Sequence, residues 1–576
     1  MSNALGSAEW STDPGYPRFH PVGNHGAPLA GRLLLLGESH VPGNVYVRPP
    51  VQHMLSIAPT RSGKGVSLIV PNLLTYRGSV LVVDPKGENA WITARYRRQA
   101  FGQKTFIVDP WGEVNRRYGS PQESETIASF NPLSFLKPGS DDFVEDLAAL
   151  ADALIITQST KDPYWEDTAR ELWAGLMAYV LENPAFSDRA SLFLARKLLM
   201  KSTDELSRTI QTAMELGPGS VAALKLAQFQ NLKESTAIMS VISAARTQTA
   251  FLDSDVLSRS MESSDFSFEG LCGGNISVYL VLPPDKLETY ARWLRLMISA
   301  GIRAVARGTG GSRSLDVSTP PIAAGLPALF MLDEFGTIGK LNAVAQAYGL
   351  MAGLGMIIWT FSQDLNQLVR DYPQHWETFI GNSQAVTCFG VMDNFTAEYI
   401  SKFLGTQTIE QTNVSVSHGT SVAPLTGNAP WRVSQRTSVS TSTGYSTQTM
   451  SRPLLHPDEV RGLPNNLCLI LGRFPPIRSQ RIVYHRDWRF LHCAREDPHF
   501  PRTEEVRWWA LQKRLSDAGS VAGLLAEEGY EVKALKGRQW EVAGRAGTGK
   551  RGHSFASDND LWRWTYLLAM DGVDSA

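Results

Sequence analysis

Short apolar runs bounded by small or polar residues recur in the first part of the chain and predict buried strands. One run is His53 to Ala58, and a helical apolar pattern from Val66 to Leu74 follows it across a small, polar turn. Two further runs, Ser79 to Asp84 and Thr105 to Asp109, end in Asp-Pro. Strands that are apolar throughout are typical of a parallel sheet covered on both faces. Strand–turn–helix order is typical of βα units, so the pattern predicts an α/β fold.

From about residue 141 to residue 231, the spacing of apolar residues changes to that of amphipathic helices. The apolar residues that share a helix face are Phe143, Leu147, Leu150 and Leu154, and then Leu172, Leu176, Tyr179 and Val180. Strand-like apolar runs return at Ile276 to Leu282 and at Ala328 to Leu332. We therefore predict a discontinuous α/β domain interrupted by an inserted all-α domain.

The stretch from Leu341 to Gln363 is uncharged, but Asn342, Gln346 and three glycines interrupt its apolar pattern. It is predicted to be a buried helix followed by a strand, Met356 to Phe361, rather than a membrane span. The N-terminus offers only the short apolar run Leu33 to Leu36, whereas a membrane-spanning helix needs ~20 apolar residues. We also recognise no signal peptide. The sequence therefore predicts no transmembrane segment in this chain.

Three other segments depart from the α/β pattern. Residues 1–50 are rich in Gly, Pro and His and are predicted to be an extended lead-in. Residues 411–451 are dense in Ser, Thr and Gln and are predicted to form a long loop or a flexible hairpin. Tryptophans at 508, 509, 540, 562 and 564 favour a small C-terminal accessory domain over a disordered tail. The predicted boundaries are 1–50 for the lead-in, 51–140 and 271–496 for the α/β domain, 141–270 for the all-α domain and 497–576 for the C-terminal domain.

Composition and charge narrow the possible functions. The 576 residues correspond to roughly three to five domain equivalents at ~100 to 200 residues each. Lys and Arg total 55 and Asp and Glu total 56, so the net charge of −1 gives no overall basic field, and any DNA contact must use local patches. The four cysteines are too scattered for a disulfide framework or a CxxC-type zinc site. This usage fits a reducing compartment, the cytoplasm.

A candidate phosphate-binding loop, Ala58-Pro-Thr-Arg-Ser-Gly-Lys-Gly65, lies between a predicted strand and a predicted helix. Backbone N–H groups and the helix N-terminus can bind phosphates at such a turn. Lys64 is expected to pair with the β- and γ-phosphates. The alternative is a glycine-rich turn with a surface lysine. The residues that we assign to nucleotide binding are Thr60, Arg61, Ser62, Gly63, Lys64, Gly65 and Val66.

This loop departs twice from the general pattern G-x-x-x-x-G-K-S/T. Ala58 replaces the first glycine, and Gly65 stands where a magnesium-binding hydroxyl is expected. The metal must therefore be held in another way. The segment from Gly544 to Lys550 matches the general spacing more literally, but Arg551, Gly552 and His553 follow it instead of an apolar helix. We interpret that segment as a turn.

Two adjacent acids, Asp333 and Glu334, end the apolar run that begins at Ala328. Ligands of open α/β sheets bind at the carboxyl ends of strands, which favours Asp333 as a Mg²⁺ ligand through a water molecule. Glu334 is placed to orient or deprotonate the attacking water as a general base. The alternative is that both acids cap the following turn. Together with Lys64 the pair indicates an active ATPase.

Other polar residues also follow predicted strands. Asp84 and Asp109 are rivals for the metal, but each is followed by proline and neither has an adjacent acid, so we interpret them as structural or peripheral to the nucleotide. Ser362 and Gln363 follow the run Met356 to Phe361. The Gln363 amide is a candidate for sensing the γ-phosphate or positioning water, and the alternative is a polar cap.

These motifs resemble those of the type IV secretion coupling proteins of the TraG/TraD/VirD type, which are hexameric DNA-pumping ATPases of the FtsK/HerA-like P-loop class. In that family a glycine at the position of Gly65 is usual. The resemblance extends from about residue 50 to residue 490 and rests on Ala58 to Val66, Val82 to Glu88, Phe130 to Leu133, Leu332 to Phe335, Ser362 to Leu368, Arg452 to Leu455 and Pro475 to Ile477.

The resemblance implies a RecA-like P-loop domain that uses ATP and Mg²⁺ to drive transfer into a type IV secretion or conjugation channel. It implies DNA bound through its backbone without sequence specificity, relaxase or effector proteins received by residues 141–270, contacts with channel components, and assembly into a ring hexamer. Gly6 to Trp10 resembles the segment after the family's N-terminal membrane helices. The expected location is the cytoplasmic face of the bacterial inner membrane, with the anchor removed, split off or naturally absent.

Arg246 resembles a recurrent family arginine that serves nucleotide or subunit contacts, where a guanidinium can stabilise transition-state charge in trans. The alternative for Arg246 is a buried structural ion pair. Two other functions stay open at this point. One is a soluble FtsK/HerA-like DNA motor without a secretion channel, and the other is a nucleotide-gated substrate receptor without turnover, against which the intact Glu334 argues.

Overall fold

The computed structural model describes residues 7–10, 34–38, 45–48, 52–120, 123–156, 164–231, 236–308, 326–350, 353–424, 435–487, 490, 493–495, 525, 530–534, 540–544 and 553–555. The strands are β1 (Leu34–Glu38), β2 (Val45–Arg48), β3 (His53–Ile57), β4 (Val80–Asp84), β5 (Lys104–Val108), β6 (Ile276–Val281), β7 (Ala328–Leu332), β8 (Met356–Ser362), β9 (Ser383–Cys388), β10 (Thr406–Pro424), β11 (Gln435–Pro453), β12 (Leu467–Gly472), β13 (Phe474–Gln480), β14 (Tyr530–Ala534), β15 (Trp540–Gly544) and β16 (His553–Phe555).

The α-helices are α1 (Val70–Thr75), α2 (Glu88–Phe101), α3 (Glu113–Tyr118), α4 (Phe143–Leu154), α5 (Tyr164–Glu182), α6 (Leu192–Leu199), α7 (Thr203–Met214), α8 (Val221–Leu226), α9 (Thr236–Gln248), α10 (Asp255–Ser260), α11 (Leu287–Gly308), α12 (Phe335–Ile338), α13 (Asn342–Leu350), α14 (Leu365–Asp371), α15 (Trp376–Gly381), α16 (Asn394–Leu404) and α17 (Pro457–Arg461). Short 3₁₀ helices lie at Pro184–Arg189, Ala227–Phe229, Ala250–Asp253, Phe268–Gly273, Pro284–Lys286 and Tyr484–Arg486. A π-helical turn, Gly65–Ile69, precedes α1.

A large, mostly parallel sheet organises the molecule. Its eleven strands lie in the order β2-β1-β13-β12-β9-β3-β8-β7-β4-β6-β5. The seven strands from β9 to β5 are parallel, whereas β12, β13, β1 and β2 extend the sheet in antiparallel pairs. The α/β prediction is confirmed, and the predicted strands between residues 53 and 362 all belong to the parallel part.

Helical layers cover both faces of the sheet, and alternate strand residues face the two layers. In β4, Leu81 and Val83 pack into a core shared with the inserted helices. Val80 and Val82 pack on the other face with residues of α1 and α2. Strands β3, β4, β6, β7 and β8 are buried along their whole length. This two-sided burial explains why these strands are continuous apolar runs.

Helices α4 to α10 lie between β5 and β6 and form the inserted all-α domain. Every residue that was predicted to share a buried helix face is buried there: Phe143, Leu147, Leu150, Leu154, Leu172, Leu176, Tyr179 and Val180. Helix α5 packs against α4, α6, α8 and α9. Serine side chains cap four of the helix N-termini, at Ser191, Ser202, Ser220 and Ser254. None of the described helices combines the length and the apolar character needed to cross a bilayer.

Two segments differ from a simple reading of the sequence. The predicted lead-in contains β1 and β2, and β1 pairs with β13 through Glu38 and Gln480. The position of such a short strand depends on a partner strand far away in the chain.

The Ser/Thr-rich segment is a hairpin, which is one of the two alternatives predicted, and it is longer than predicted. Strands β10 and β11 are each 19 residues long and pair from Thr406 with Pro453 to Pro424 with Gln435. Their many β-branched Thr and Val residues favour extended backbone.

A small antiparallel sheet, β14-β15-β16, lies in the C-terminal segment. The segment from Gly544 to Lys550 starts at the last residue of β15, and β16 pairs antiparallel with β15 through Phe555 and Trp540. Two antiparallel strands therefore flank this segment, which is not the strand–helix context of a phosphate loop. Residues 545–552 themselves, and the tryptophans at 508, 509, 562 and 564, lie outside the described residues.

A buried histidine in β3 makes the stability of the fold dependent on pH. Nδ1 of His53 accepts a hydrogen bond from the Ile358 N–H (3.1 Å), so its Nε2–H donates to the Ala347 carbonyl oxygen (2.9 Å). Burial lowers the pKa of His53 from 6.5 to about 4. The unfolded chain therefore binds a proton before the folded chain does, and acidification between these values favours unfolding.

We expect this residue to remove on the order of 3 kcal/mol from the free energy of unfolding between about pH 6.5 and pH 4. Urea denaturation across that range measures the loss, and His53→Gln is expected to flatten the slope. An equal slope in the two proteins would show that another group controls it.

Candidate nucleotide-binding site

The four strands β3, β8, β7 and β4 are neighbours in the sheet and run parallel, so their carboxyl ends meet at one edge. Lys64 follows β3, Gln363 follows β8, Asp333 follows β7 and Asp84 ends β4. A cleft with a volume of about 1240 Å³ lies at this edge. The predicted site residues that line it are Thr60, Arg61, Gly63, Lys64, Gly65, Val66, Asp333, Glu334 and Gln363. The structure therefore brings the loop, the acid pair and the amide together.

The loop after β3 is a sharp turn that enters a helix. Its backbone is in the left-handed region at Arg61 (φ 62°) and Gly63 (φ 90°), and the Ser67 N–H donates to the Gly63 carbonyl (3.0 Å) as the π-helical turn begins. The Ser62 hydroxyl is used within the loop, where it donates to the Pro59 carbonyl (2.6 Å). The local fold thus has the strand–turn–helix form that binds phosphate at helix N-termini.

Three side chains form a hydrogen-bonded chain across the cleft. The buried Lys64 Nζ donates to the Ala58 carbonyl (3.2 Å) and to Glu334 Oε1 (3.4 Å). Gln363 Nε2 donates to Glu334 Oε2 (2.7 Å). Glu334 therefore lies between the loop lysine and the strand-end amide, with both of its carboxylate oxygens engaged. Its own backbone is left-handed (φ 52°), a conformation that non-glycine residues adopt at a cost and that clusters at functional sites.

Gln363 is held in place by the helix that follows it. Gln367 Oε1 accepts hydrogen bonds from the Gln363 N–H (3.0 Å) and from the Ser362 hydroxyl (3.0 Å). Asp364 caps the N-terminus of α14 by accepting from the Gln367 N–H (2.9 Å). The Gln363 side chain is therefore presented from a fixed backbone rather than from a mobile loop.

Two acids border the site, the buried Asp84 and the partly buried Asp333. Burial raises the pKa of Asp333 to about 6, with nearby Lys64 acting in the opposite direction. Burial likewise raises the pKa of Asp84 to about 7. Asp84 Oδ2 accepts from the Ala90 N–H (2.8 Å) at the start of α2, and Asp109 Oδ2 accepts from the Val114 N–H (2.8 Å) in α3. Both rivals for the metal thus stabilise helix starts, and Asp84 additionally lines the cleft.

Sequence reasoning missed an arginine that contacts the loop from the far part of the chain. Arg481 Nη2 donates to the Ser67 hydroxyl (2.9 Å) and to the Gly63 carbonyl (3.3 Å), 418 residues away. Its guanidinium also lies over the Phe389 ring at 4.2 Å. A Cβ at position 63 would displace this guanidinium, and the positive φ of Gly63 is the backbone reason for glycine there. No local signal in the sequence could have linked these residues.

Lys86 and Asn89 were also not identified from the sequence, although both line the cleft and the family motif ran to Glu88. Arg246, by contrast, lies in the inserted domain. Its Nε donates to the Leu199 carbonyl (3.0 Å) and its Nη2 to the Lys201 carbonyl (2.8 Å). The guanidinium therefore caps the end of α6. Among the described residues, the guanidinium therefore bonds carbonyl groups rather than the carboxylate of the expected ion pair.

The carboxylates of the cleft suit a magnesium ion that is also bound by phosphate oxygens. Within the described ranges, no three His, Cys, Asp or Glu side chains converge to form a metal site. Mg²⁺ is usually bound by one or two carboxylates together with phosphate oxygens and water, rather than by a cage of protein ligands. One strand-end carboxylate beside a phosphate loop is therefore an adequate protein contribution.

Comparisons with known proteins find one family along most of the chain. The family described as Type IV secretory system Conjugative DNA transfer matches residues 30–505. The conjugal transfer protein TraG of Escherichia coli is 27% identical over 500 residues, which cover 81% of this chain and 72% of TraG. Protein VirD4 of Agrobacterium fabrum is 27% identical over 446 residues, which cover 76% of this chain and 59% of VirD4.

Solved structures show the same fold. The unbound bacterial conjugative coupling protein TrwB aligns with a TM-score of 0.54 and 14% identity over 83% of this chain and 97% of that one. TrwB in complex with the non-hydrolysable ATP analogue ADPNP aligns with a TM-score of 0.53 and 15% identity over 84% and 97%. The fold is a RecA-like P-loop domain with an inserted helical domain. Since the family match covers most of its length, the chain belongs to the type IV secretion coupling proteins of conjugative DNA transfer.

Proposed function

We propose that the protein hydrolyses ATP and uses the released energy to drive DNA, with attached relaxase or effector proteins, into a type IV secretion or conjugation channel. The observation that carries this proposal is the chain of contacts from Lys64 through Glu334 to Gln363, at the edge of a phosphate loop. Family membership supports the transfer role, and the solved complexes of TrwB with ADPNP and with ADP and Mg²⁺ support nucleotide as the ligand.

Each residue of the site has a separate role in the proposed chemistry. Lys64 and the backbone N–H groups of the loop bind the phosphates. Asp333 would hold Mg²⁺ through a water molecule, and the ion would neutralise charge on the β- and γ-phosphates. A phosphate that accepts from Lys64 competes with Glu334 Oε1 for the same ammonium group. Glu334 would then keep its bond to Gln363 and have one oxygen free to accept a proton from the attacking water.

The assembly and partners belong to the same proposal. A ring hexamer at the cytoplasmic face of the bacterial inner membrane would grip the DNA backbone without reading its sequence. The inserted helices, residues 141–270, would receive relaxase or effector proteins. Because the protein would bind the DNA phosphates electrostatically, the logarithm of the binding constant is expected to fall linearly with the logarithm of the salt concentration. The near-zero net charge of the chain confines this grip to a local surface.

The proposed function is tested by measuring ATP hydrolysis of the purified protein with and without single- and double-stranded DNA, over protein concentrations that span assembly. Turnover that rises more than linearly with protein concentration and increases with DNA supports the motor. ATP binding without turnover under every condition, in a confirmed assembly, contradicts the motor and favours a nucleotide-gated receptor.

Gln363→Ala is expected to lower kcat by about 10- to 100-fold, because Glu334 loses the hydrogen bond that orients it. The affinity for ATP should change little, since the loop and Lys64 are intact. Steady-state kinetics and fluorescent-nucleotide binding measure the two quantities separately. Asn366→Ala is the matched control, because the Asn366 amide bonds Asp393 outside the cleft. A larger effect on affinity than on kcat would assign Gln363 to nucleotide binding instead.

A further inference from the structure

The loop has no hydroxyl group directly after Lys64, because residue 65 is glycine. The structure does not require glycine there. The backbone at Gly65 is helical, and positive φ values occur at other residues of the loop. A Cβ built on Gly65 would lie 3.9 Å from Asn89 Oδ1, an ordinary van der Waals distance. A hydroxyl side chain would therefore fit, so steric crowding does not explain the glycine, and the oxygen that lies nearest to the open position is Asn89 Oδ1.

Asn89 occupies the facing position. It lies in the first turn of α2, lines the cleft and is 5% exposed. Its Nδ2 donates to Asp84 Oδ1 (3.3 Å). The same carboxylate accepts from the Ala90 N–H through Oδ2 (2.8 Å), so it is fixed as an acceptor at the start of α2. Because the amide nitrogen is directed to Asp84, the amide oxygen is directed to the cleft beside Gly65.

We propose that Asn89 Oδ1 is the magnesium-binding oxygen that takes the place of the missing hydroxyl at position 65. This inference rests on the proposed function, since the metal is the one that accompanies ATP. An amide oxygen is a hard ligand of the kind that suits Mg²⁺. Asp84 is then a positioning residue, because its carboxylate accepts from the Asn89 amide nitrogen and so orients the amide at the same edge of the cleft. This role accounts for an aspartate that caps a helix and yet lines the cleft.

The test separates binding of the metal from binding of the nucleotide. The affinity for a fluorescent ATP analogue is measured by anisotropy in EDTA and over a series of Mg²⁺ concentrations. In the unmodified protein Mg²⁺ is expected to tighten binding. Asn89→Ala is expected to reduce this Mg²⁺-dependent tightening by at least about 10-fold, with the affinity in EDTA unchanged. Asn342→Ala, whose amide bonds Asp152 on another surface, is the control.

A second-site change supplies the rescue. Gly65→Ser in the Asn89→Ala background restores a hydroxyl at the usual position and is expected to recover the Mg²⁺ dependence. Asn89→Asp keeps an oxygen at position 89 and is expected to retain the dependence, while weakening binding in EDTA because the added carboxylate repels the phosphates of the nucleotide. Thermal melting shows whether Asn89→Ala is folded. If it is not, the other two variants still test whether Asn89 binds the metal.

Equal losses in EDTA and in Mg²⁺ for Asn89→Ala, or no recovery on adding Gly65→Ser, would overturn the role of Asn89. The readout does not depend on turnover, so a protein that binds nucleotide without hydrolysing it still decides this question. Absence of nucleotide binding by the unmodified protein, with or without Mg²⁺, would overturn the proposed function and this inference together.

Discussion

Replacing Lys64 with alanine is expected to abolish detectable ATP hydrolysis and to weaken ATP binding by at least about 100-fold. Lys64 is the buried cation of the cleft, with its Nζ between the Ala58 carbonyl and Glu334. A charged donor in a partly desolvated site interacts with phosphate far more strongly than it would in water. The other described cations that line the cleft are placed differently, since Arg61 and Lys86 are exposed and Arg370 is paired with Asp371.

Isothermal titration with ATP and ADP, together with phosphate release, measures this loss. Lys104→Ala is the matched control, since Lys104 is an exposed lysine at the opposite, amino-terminal end of β5, the edge strand of the sheet. The thermal unfolding temperature is measured beside it, because the loss of the buried Lys64 ammonium also leaves Glu334 without its ion-pair partner. Retention of normal affinity by Lys64→Ala would remove the loop from nucleotide binding and return it to a glycine-rich turn.

The parallel strands and the polar residues at their ends could be predicted because both signals are local. A strand buried on both faces must be a continuous apolar run, and a residue at its carboxyl end can be named without knowing the partner strands. Lys64, Asp333, Glu334 and Gln363 were identified in this way, and the sheet places their strands side by side. Their proximity follows from the strand order β3-β8-β7-β4, which no local pattern contains.

The parts that sequence reasoning missed depend on contacts between distant segments. Strand β1 has only five residues, and its place in the sheet depends on pairing with β13 far away in the chain. Arg481 contacts Gly63 only because β12 and β13 extend the sheet next to β9. Arg246 bonds carbonyl groups at the end of α6, and acceptors of that kind are present at every residue, so composition gives no indication of them. Asn89 became a candidate metal ligand only because the fold places its Oδ1 beside Gly65.

Replacing Glu334 with glutamine is expected to lower turnover by about 10²- to 10⁴-fold while nucleotide binding persists. Glutamine keeps the size of the side chain and its acceptor for Gln363, but it cannot take a proton from water. The change also removes the ion pair between Glu334 and Lys64. Since nucleotide would no longer compete with a carboxylate for the ammonium group, the affinity for ATP should equal or slightly exceed that of the unmodified protein.

This combination separates the roles of two residues in one contact chain. Lys64→Ala should lose binding and turnover together, whereas Glu334→Gln should lose turnover alone and accumulate an ATP-bound form that single-turnover kinetics detects. Glu288→Gln is the control, because Glu288 is an exposed carboxylate that lines the same cleft. An equal loss in that variant would mean that the general charge of the cleft, rather than proton transfer at Glu334, limits the reaction. A loss confined to Glu334→Gln would assign the base to the residue whose strained backbone places its carboxylate between the loop lysine and Gln363.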